Sequence, residues 1–426
     1  MTARTAALCV ALLILSSSSF AAKGALRIPG ATLEPVAFGD LSGWNDDDQS
    51  AAFAAFRKSC EPILLRRRAK VAVKPFERSL REPCDRAASL REPVEKEAAR
   101  GFFEQHFRPV RVSKIGEKEG FITGYYEPVV EGSLTPGDGY AVPIYRRPEE
   151  LVMKTPGSQK IRKPARSAST KRTRAGTRRL GKIVPFYDRT AIENGALAGR
   201  DLEIVWLKDE IDAFFAHIQG SARVRLPDGK ILRINYDAQN GHPYYAVGRA
   251  LIERGIVPAD EMSMDKIRLF IAEHPEEGRE LMRLNKSYIF FRVVEKLDHD
   301  AEPIGAQGVE LTRDRSIAVD RSLHVYGTPF WIEAELPLKN AGEQTPFRRL
   351  MVAQDTGGAI VGPARADLYL GAGIEAGTIA GRLRHPGTFY MLIPRKADPG
   401  QVAAVPMPPQ RPSAVPMPPA RPKIKS

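Results

Sequence analysis

Apolar residues recur at two spacings along the chain, and the spacing predicts where helices and strands lie. Between residues 51 and 64 the apolar positions return every three or four residues, as in a helix with one buried face: Phe53, Phe56, Cys60 and Leu64. The preceding run Asp46–Asp48 is expected to cap this helix and complement its dipole. A calcium loop is the alternative, but the alternating ligands and final glutamate of such loops are missing.

A second helix is predicted from Met264 to about Glu273, with Ser263 as its cap. Ser263 also begins a Ser-x-x-Lys sequence that ends at Lys266, the pattern of a penicillin-recognising nucleophile. The accompanying Lys-Thr-Gly element is missing, and a helix cap accounts for the serine. No Gly-x-Ser-x-Gly elbow is present either, so acyl transfer by a serine is unsupported.

The remaining body has the β-branched and aromatic content of strands bounded by turn residues, which predicts a mainly β protein of two barrels or sandwiches. The predicted strands are Phe121–Val130, Ala222–Leu226, Lys230–Tyr236, Tyr288–Val294, Ser316–Asp320, Thr328–Leu336, Leu350–Asp355 and Thr388–Ile393.

The residues with the clearest chemical potential follow the strand that ends at Asp355. The next residues, Thr356-Gly357-Gly358, allow positive φ and a close approach of backbone N–H groups to a ligand. Strand alternation should then place Arg365, Asp367 and Tyr369 on one face. A carboxylate in such a setting is a candidate acid or base.

The first 21 residues have the pattern of a secretory signal peptide: a cationic head, an apolar run and a small-residue cleavage site after Ala21. A periplasmic protein is expected. An outer-membrane anchor is the alternative, although Cys9 lies inside the apolar run without the flanks of a lipid-modified cysteine. Export favours a disulfide between Cys60 and Cys84, with two buried free thiols as the alternative, and no zinc-type spacing suggests a metal site.

The net charge of +13 is concentrated in residues 159–182, which lack acidic residues and are expected to form a mobile basic loop. A solvated insertion, attraction to acidic wall polymers or membrane, and nucleic-acid binding are the alternatives, in that order. The segment 396–426 repeats AVPMPPQRP as AVPMPPARP and is expected to be a proline-rich spacer, with partner docking as the alternative.

Several ordered blocks carry a resemblance to a known family. The late segment resembles the three-aspartate domain of the membrane-bound lytic murein transglycosylase A family, with Asp320, Asp355 and Asp367 as the trio. Further similar blocks are Thr123–Pro128, Asp212–Phe215, Gln219–Leu226, Asn240–Tyr244 and Asn285–Tyr288, so that the resemblance extends from about Gly39 to Arg395.

The resemblance implies a double-psi β-barrel built from two separate segments, residues 22–130 and 295–395, with the three-aspartate domain at about 310–395. A second β-barrel-like domain, residues 131–294, would be inserted between them, and helices would be few. A groove between the domains would hold a peptidoglycan strand. The expected protein is a monomer that uses no cofactor or metal.

The implied reaction cleaves the β-1,4 bond between N-acetylmuramic acid and N-acetylglucosamine and leaves a 1,6-anhydromuramyl end. Asp367 would first protonate the glycosidic oxygen and then take the proton of the muramyl C6 hydroxyl. Burial and like charge from Asp355 or Asp320 would raise the pKa of Asp367, whereas Arg365 would lower it if it pointed inward. Asp355 and Asp320 are expected to shape and hold the site.

The resemblance also implies substrate contacts, namely Thr123, Tyr125, Tyr126, Gln219, Ser221, Arg223 and Gly358. The tyrosines could instead be core residues, and Arg223 could pair an internal carboxylate. The family is expected to have glycine where this chain has Ala222, and the extra methyl group is expected to narrow the groove. A wall-binding protein that lacks turnover is the alternative function.

Overall fold

The computed structural model describes residues 26–68, 75–153, 175–179, 182–295, 297–298, 300–339 and 343–397. The predicted signal peptide, most of the basic segment and nearly all of the proline-rich segment lie outside these residues. Within the described part, no helix is both long enough and apolar enough to cross a membrane.

Strands make up most of the regular structure. In chain order they are β1 (Ala31–Pro35), β2 (Phe107–Lys114), β3 (Gly120–Glu127), β4 (Val129–Ser133), β5 (Val142–Tyr145), β6 (Val152–Met153), β7 (Ala175–Arg179), β8 (Lys182–Val184), β9 (Glu203–Leu207), β10 (Ser221–Arg225), β11 (Ile231–Gln239), β12 (Ile289–Val293), β13 (Ser316–Val319), β14 (Pro329–Leu336), β15 (Thr345–Asp355), β16 (Arg365–Ala372) and β17 (Arg384–Pro394).

The helices lie mainly before β2 and between β8 and β12. They are α1 (Gln49–Arg68), α2 (Pro75–Ser79), α3 (Arg81–Ser89), α4 (Lys96–His106), α5 (Arg189–Ala191), α6 (Glu210–Gln219), α7 (Gly248–Glu253), α8 (Met264–Glu273), α9 (Pro275–Arg283) and α10 (Gly373–Arg382). Both predicted helices are confirmed, and the hydroxyl of Ser263 caps α8 by accepting a hydrogen bond from the N–H of Lys266.

Six strands close into a barrel in the order β17-β14-β15-β13-β16-β3, because β17 also pairs with β3. The β13–β15 and β3–β16 pairs are parallel, whereas the other pairs in the ring are antiparallel. β2 and β1 extend the sheet from β17. This is the predicted barrel built from early and late segments, and the mainly β fold class is confirmed.

The second sheet has the strand order β12-β11-β10-β4-β9-β5. A bridge between Arg146 and Phe291 brings the two edges of this sheet together, so that it curls into a barrel-like shape. The chain passes from the first barrel into this sheet through one residue, Pro128, because β3 ends at Glu127 and β4 begins at Val129. The two sheets therefore meet directly at the end of β3.

The helices before β2 pack against the outer face of the barrel. Trp44, Phe53 and Phe103 are buried with Trp331 of β14, and a disulfide between Cys60 and Cys84 joins α1 to α3. The expectation that all three aspartates at 46–48 serve the helix start is wrong for Asp47. Its carboxylate instead accepts two hydrogen bonds from Arg315, at 2.7 and 2.8 Å, because this pairing satisfies both buried groups.

The basic segment also differs in part from its prediction as a loop. Ala175–Arg179 and Lys182–Val184 form the antiparallel pair β7 and β8, and β7 also pairs with β6. Pairing between extended strands satisfies the backbone N–H and C=O groups of these residues. The positive charge of the segment does not prevent this pairing. The other residues of the basic segment lie outside the described part of the chain.

Candidate active site

The register of three barrel strands brings two aspartates together. Ala318 in β13 pairs with Asp355 on one side and with Asp367 on the other. Residues at the same register point to the same face of a sheet, so both carboxylates stand above the small side chain of Ala318. Beneath them is an apolar floor formed by Tyr125, Leu311, Ala318, Ile360 and Tyr369.

Asp355 is surrounded by hydrogen-bond donors. Its Oδ2 accepts from the hydroxyl of Tyr125 at 2.9 Å, and its Oδ1 accepts from the backbone N–H groups of Ala306 and Thr356 at 2.9 and 2.8 Å. Burial raises the pKa of Asp355 and the charge of Asp367 adds to this, while the three donors oppose it. These three donors stabilise the ionised form of Asp355 more than a smaller number of donors would.

Asp367 has one hydrogen-bond donor in the described part of the chain, the hydroxyl of Thr123, which bonds to its Oδ1. The parallel register of β3 and β16 places these two residues opposite each other. Burial raises the pKa of Asp367, and the nearby charge of Arg365 and the bond from Thr123 lower it. The negative charge of Asp355 or Asp320 was expected to raise the pKa of Asp367 further. The neighbouring charge with the largest effect is instead the positive charge of Arg365, which lowers this pKa.

Strand alternation in β16 is as predicted. Arg365, Asp367 and Tyr369 share the face that carries the site, with Tyr369 in the apolar floor. Ala366, Leu368 and Leu370 point to the opposite face and pack in the barrel core. The two-residue period of the strand therefore brings the acidic and cationic side chains to one side.

The inserted domain supplies the opposite wall of the site. Tyr244, in the segment between β11 and α7, lies so close to Gly358 that a Cβ placed on that glycine would be 3.6 Å from the tyrosine Cβ. Burial, with the charge of Asp367, raises the pKa of Tyr244 to about 12. The inserted domain therefore reaches the barrel beside the Asp367 carboxylate, and Gly357 and Gly358 are exposed at this junction.

Asp320 lies apart from the two other aspartates and fixes the loop that connects them. Its Oδ1 accepts from the N–H and hydroxyl of Ser322, and its Oδ2 accepts from the N–H of Gly362 at 3.0 Å. Nearby, Nε2 of buried His324 lies 2.8 Å from the carbonyl oxygen of Pro363. These two bonds hold the loop 356–364 against β13.

The structure places the two predicted tyrosines differently. Tyr125 touches the site through its hydroxyl, but its ring belongs to the floor. Tyr126 packs in the barrel core and against Gly377 of α10, and its backbone N–H donates to Oε1 of Gln219 at 3.1 Å. Gln219 therefore orients the end of β3, and Tyr126 is a core residue.

Arg223 lies in an ion network at the junction of the two domains. Its Nε donates to Oε2 of buried Glu127 at 2.7 Å, and Arg233 bonds to the same carboxylate. This is the internal pairing that was the alternative for Arg223. Ser221 is buried near the start of β10. Ala222 is fully buried in the core of the inserted domain, so the expected narrowing of the groove is wrong.

Three contributors to the site were missed as functional residues. Tyr244 was part of a recognised block, but its place opposite Gly358 depends on how the two domains pack. Ala306 contributes only its backbone N–H, which leaves no side-chain signal in the sequence. Tyr369 was placed on the correct face, yet its hydrogen bond to Glu302, at 2.6 Å, depends on the tertiary fold.

Metal binding is not indicated by the described side chains, among which no group of three or more His, Cys, Asp or Glu residues is arranged to hold an ion.

Comparisons with known proteins agree with this architecture. A family model described as the MltA specific insert domain matches residues 121–292, and one described as the 3D domain matches residues 315–393. Membrane-bound lytic murein transglycosylase A of Vibrio cholerae is 33% identical over 285 residues, which are 65% of this chain and 67% of that protein.

Solved structures are similar over most of the chain. A membrane-bound lytic murein transglycosylase from Agrobacterium tumefaciens is 39% identical, with a TM-score of 0.73, and the match covers 86% of this chain and 98% of that one. Escherichia coli MltA with bound chitohexaose is 26% identical, with a TM-score of 0.57, and the match covers 87% and 94%.

Proposed function

Because the chain belongs to the membrane-bound lytic murein transglycosylase A family, we propose that it cleaves peptidoglycan glycan strands without adding water. The observation that carries the proposal is the half-buried carboxylate of Asp367, whose pKa is raised by burial and which lies where the inserted domain reaches the barrel. A related structure contains bound chitohexaose. A groove between the barrel and the inserted domain is proposed to hold a peptidoglycan strand in this chain.

Asp367 is the proposed acid and then base. Its protonated carboxyl gives a proton to the glycosidic oxygen as the bond from that oxygen to the muramyl C1 breaks. The C6 hydroxyl oxygen of the same sugar attacks C1, and its proton returns to the ionised Asp367. The products are a 1,6-anhydromuramyl end and a free N-acetylglucosamine hydroxyl, and the carboxyl is ready for another cycle.

Asp355 is proposed to stay ionised and to keep the proton on its neighbour. It accepts three hydrogen bonds from protein donors, whereas Asp367 accepts one from Thr123. Donors stabilise a carboxylate, and two nearby like charges resist joint ionisation, so a proton on one of the two is favoured on Asp367, which has fewer donors. This difference in donors supports Asp367 as the acid.

Asp320 is proposed to act through the loop 356–364, since its carboxylate holds the N–H of Gly362. Gly358 lies in that loop opposite Tyr244, and a Cβ at this position would be in van der Waals contact with the tyrosine. Thr123 is proposed to orient Asp367, and Arg223 and Gln219 to fix the junction between the barrel and the inserted domain.

The relatives are called membrane-bound, which supports association with the cell envelope. The proposed location of this chain is the periplasm, after export by residues 1–21, with attachment at the outer membrane. It is proposed to act as a monomer on the wall, without nucleic acid as a partner.

The test is digestion of purified murein by the native protein and by Asp367→Asn, with mass spectrometry of the products. General acid–base catalysis raises a rate by about 10²- to 10⁴-fold, so the variant should cleave murein at least about 10²-fold more slowly. It should still bind the strand. Anhydromuropeptides from the native protein alone support the proposal. Intact sacculi with the native protein would favour a binding role, and full activity in the variant would remove Asp367 from the chemistry.

A further inference from the structure

Arg365 is a half-buried cation that makes its hydrogen bonds to neutral groups. The carboxylate whose charge acts on its guanidinium is that of Asp367 in the same strand. Its Nη1 donates to the carbonyl oxygens of Ala366 and Phe121 at 2.5 and 3.4 Å, and its Nη2 donates to Oγ1 of Thr123 at 2.8 Å. The guanidinium also lies 5.3 Å from the ring centroid of Phe121. These contacts fix the cation two residues before Asp367.

The bond from Arg365 determines the direction of the next bond. A guanidinium only donates, so Oγ1 of Thr123 is the acceptor in that pair. The threonine hydroxyl has a single proton, and among the described residues its other partner is Oδ1 of Asp367. Because Oδ1 is the acceptor within reach of that proton, the hydroxyl donates to Oδ1. This leaves Oδ2 as the oxygen that is free to bear a proton.

We propose that Arg365 is a positioning residue, which acts through the Thr123 hydroxyl to fix Oδ1 of Asp367 as an acceptor and Oδ2 as the oxygen that transfers the proton. This inference rests on the proposed function. In the first step the Oδ2–H proton moves to the glycosidic oxygen, whose bond to C1 breaks. In the second step the C6 hydroxyl proton moves to Oδ2 as the C6 oxygen bonds to C1.

The charge of Arg365 serves the same cycle. Asp367 is negative between the two proton transfers, and a fixed cation stabilises that form without moving. The other groups that act on the site are Asp355 from β15, Tyr125 from β3 and Tyr244 from the inserted domain. Of the side chains facing Asp367, Arg365 carries the positive charge, and its removal should favour the protonated carboxyl.

The test uses the purified full-length protein and soluble glycan-strand fragments, with kcat/KM measured across pH. The rate falls at high pH as the free enzyme loses the proton of Asp367. Arg365→Gln should move this basic limb upward by about 1 pH unit, since an opposite charge at close range shifts a pKa by about 1–3 units. Its kcat should fall about 10-fold as the ionised form loses stabilisation, with little change in KM. Arg365→Lys keeps the positive charge, so its basic limb should lie close to that of the native protein.

Thr123→Val removes the bridging hydroxyl and keeps the cation, so it tests the path of the effect. If both residues act through one bond, the Arg365→Gln/Thr123→Val double variant should be no slower than the slower single variant, because effects along one path do not add. Arg349→Gln is the matched control. It removes a barrel arginine that pairs with Asp314 at 3.4 Å, and it should leave the limb unmoved.

An unmoved limb in Arg365→Gln, or additive losses in the double variant, would overturn the inference. If Arg365→Gln does not fold, Thr123→Val tests the inference by itself, because loss of the bridge without a drop in kcat contradicts the proposed path. The native protein is assayed in parallel. Native protein that forms no anhydromuramyl products defeats the proposed function, whereas native activity with an unmoved limb defeats the inference alone.

Discussion

Replacing Asp47 with asparagine should destabilise the barrel far more than the same replacement at its exposed neighbours, Asp46 and Asp48. Asp47 holds both ends of the Arg315 guanidinium, and its Oδ2 also accepts from the N–H of Leu350 at 2.9 Å. The side chains of Asp47 and Arg315 are 5% and 9% exposed. Asp47→Asn would leave a buried cation without its counter-charge.

Loss of one partner from a buried ion pair costs about 3–5 kcal/mol. A whole domain is stable by only about 5–15 kcal/mol, so this is a large share. In urea, with an m-value near the top of the usual range of about 1–3 kcal/mol/M, the unfolding midpoint should fall by about 1–2 M. Tryptophan fluorescence is a suitable signal, because the rings of Trp44 and Trp331 lie 5.2 Å apart in the same packed region.

Asp46→Asn is the control, since Asp46 is exposed and surface changes of this kind stay within about 0.5 kcal/mol. Asp47→Leu combined with Arg315→Met should recover much of the loss, because apolar pairs can replace a buried ion pair. An Asp47→Asn midpoint equal to that of Asp46→Asn would refute the reasoning that the pair is buried and uncompensated.

Three further changes have defined outcomes. Burial lowers the pKa of His324 to about 4 from a usual value near 6.5, so the unfolded chain binds the additional proton as pH falls through this interval. The contribution of His324 to the free energy of unfolding should therefore drop by about 3 kcal/mol between pH 6.5 and 4. Urea titrations at the two pH values should show that His324→Gln loses this part of the pH dependence. Reduction or serine replacement of the Cys60–Cys84 disulfide, with a sequence separation of 24, should cost about 3–4 kcal/mol, measured as a lower melting temperature. Gly120→Ala should lower the melting temperature as well, because the added Cβ would lie 2.2 Å from the carbonyl oxygen of Ala364. Gly39→Ala is the control, since a Cβ at Gly39 would have no atom within 4 Å.

Local patterns predicted some elements of this fold. The helix that begins at Met264 and the alternation of Arg365, Asp367 and Tyr369 both follow from residues close in sequence, where a fixed period decides which side is buried. Several other helices, including α6 and α10, were not predicted. In α10, the glycines lower the helix propensity of the segment, and Gly377 allows close packing against Tyr126 of the barrel.

Partners distant in sequence could not be predicted from local pattern. Arg223 and Glu127 are 96 positions apart, and Arg315 and Asp47 are 268 apart. Such contacts depend on register between strands and on packing between domains. For this reason Asp47 was taken for a helix partner, and the bond from Arg365 to Thr123 could not be foreseen.

The closure of the barrel by β17 has a consequence for the order of assembly. β17 pairs with β2 and β3, which precede it by more than 250 residues, so the ring cannot close until almost all of the described residues have been synthesised. The strands of the inserted sheet are contiguous in sequence and can pair earlier, because contacts between nearby segments form at lower entropic cost. β15 and β16, which carry Asp355 and Asp367, are also made late. A site of this design is therefore complete only when synthesis has almost reached the last of the described residues.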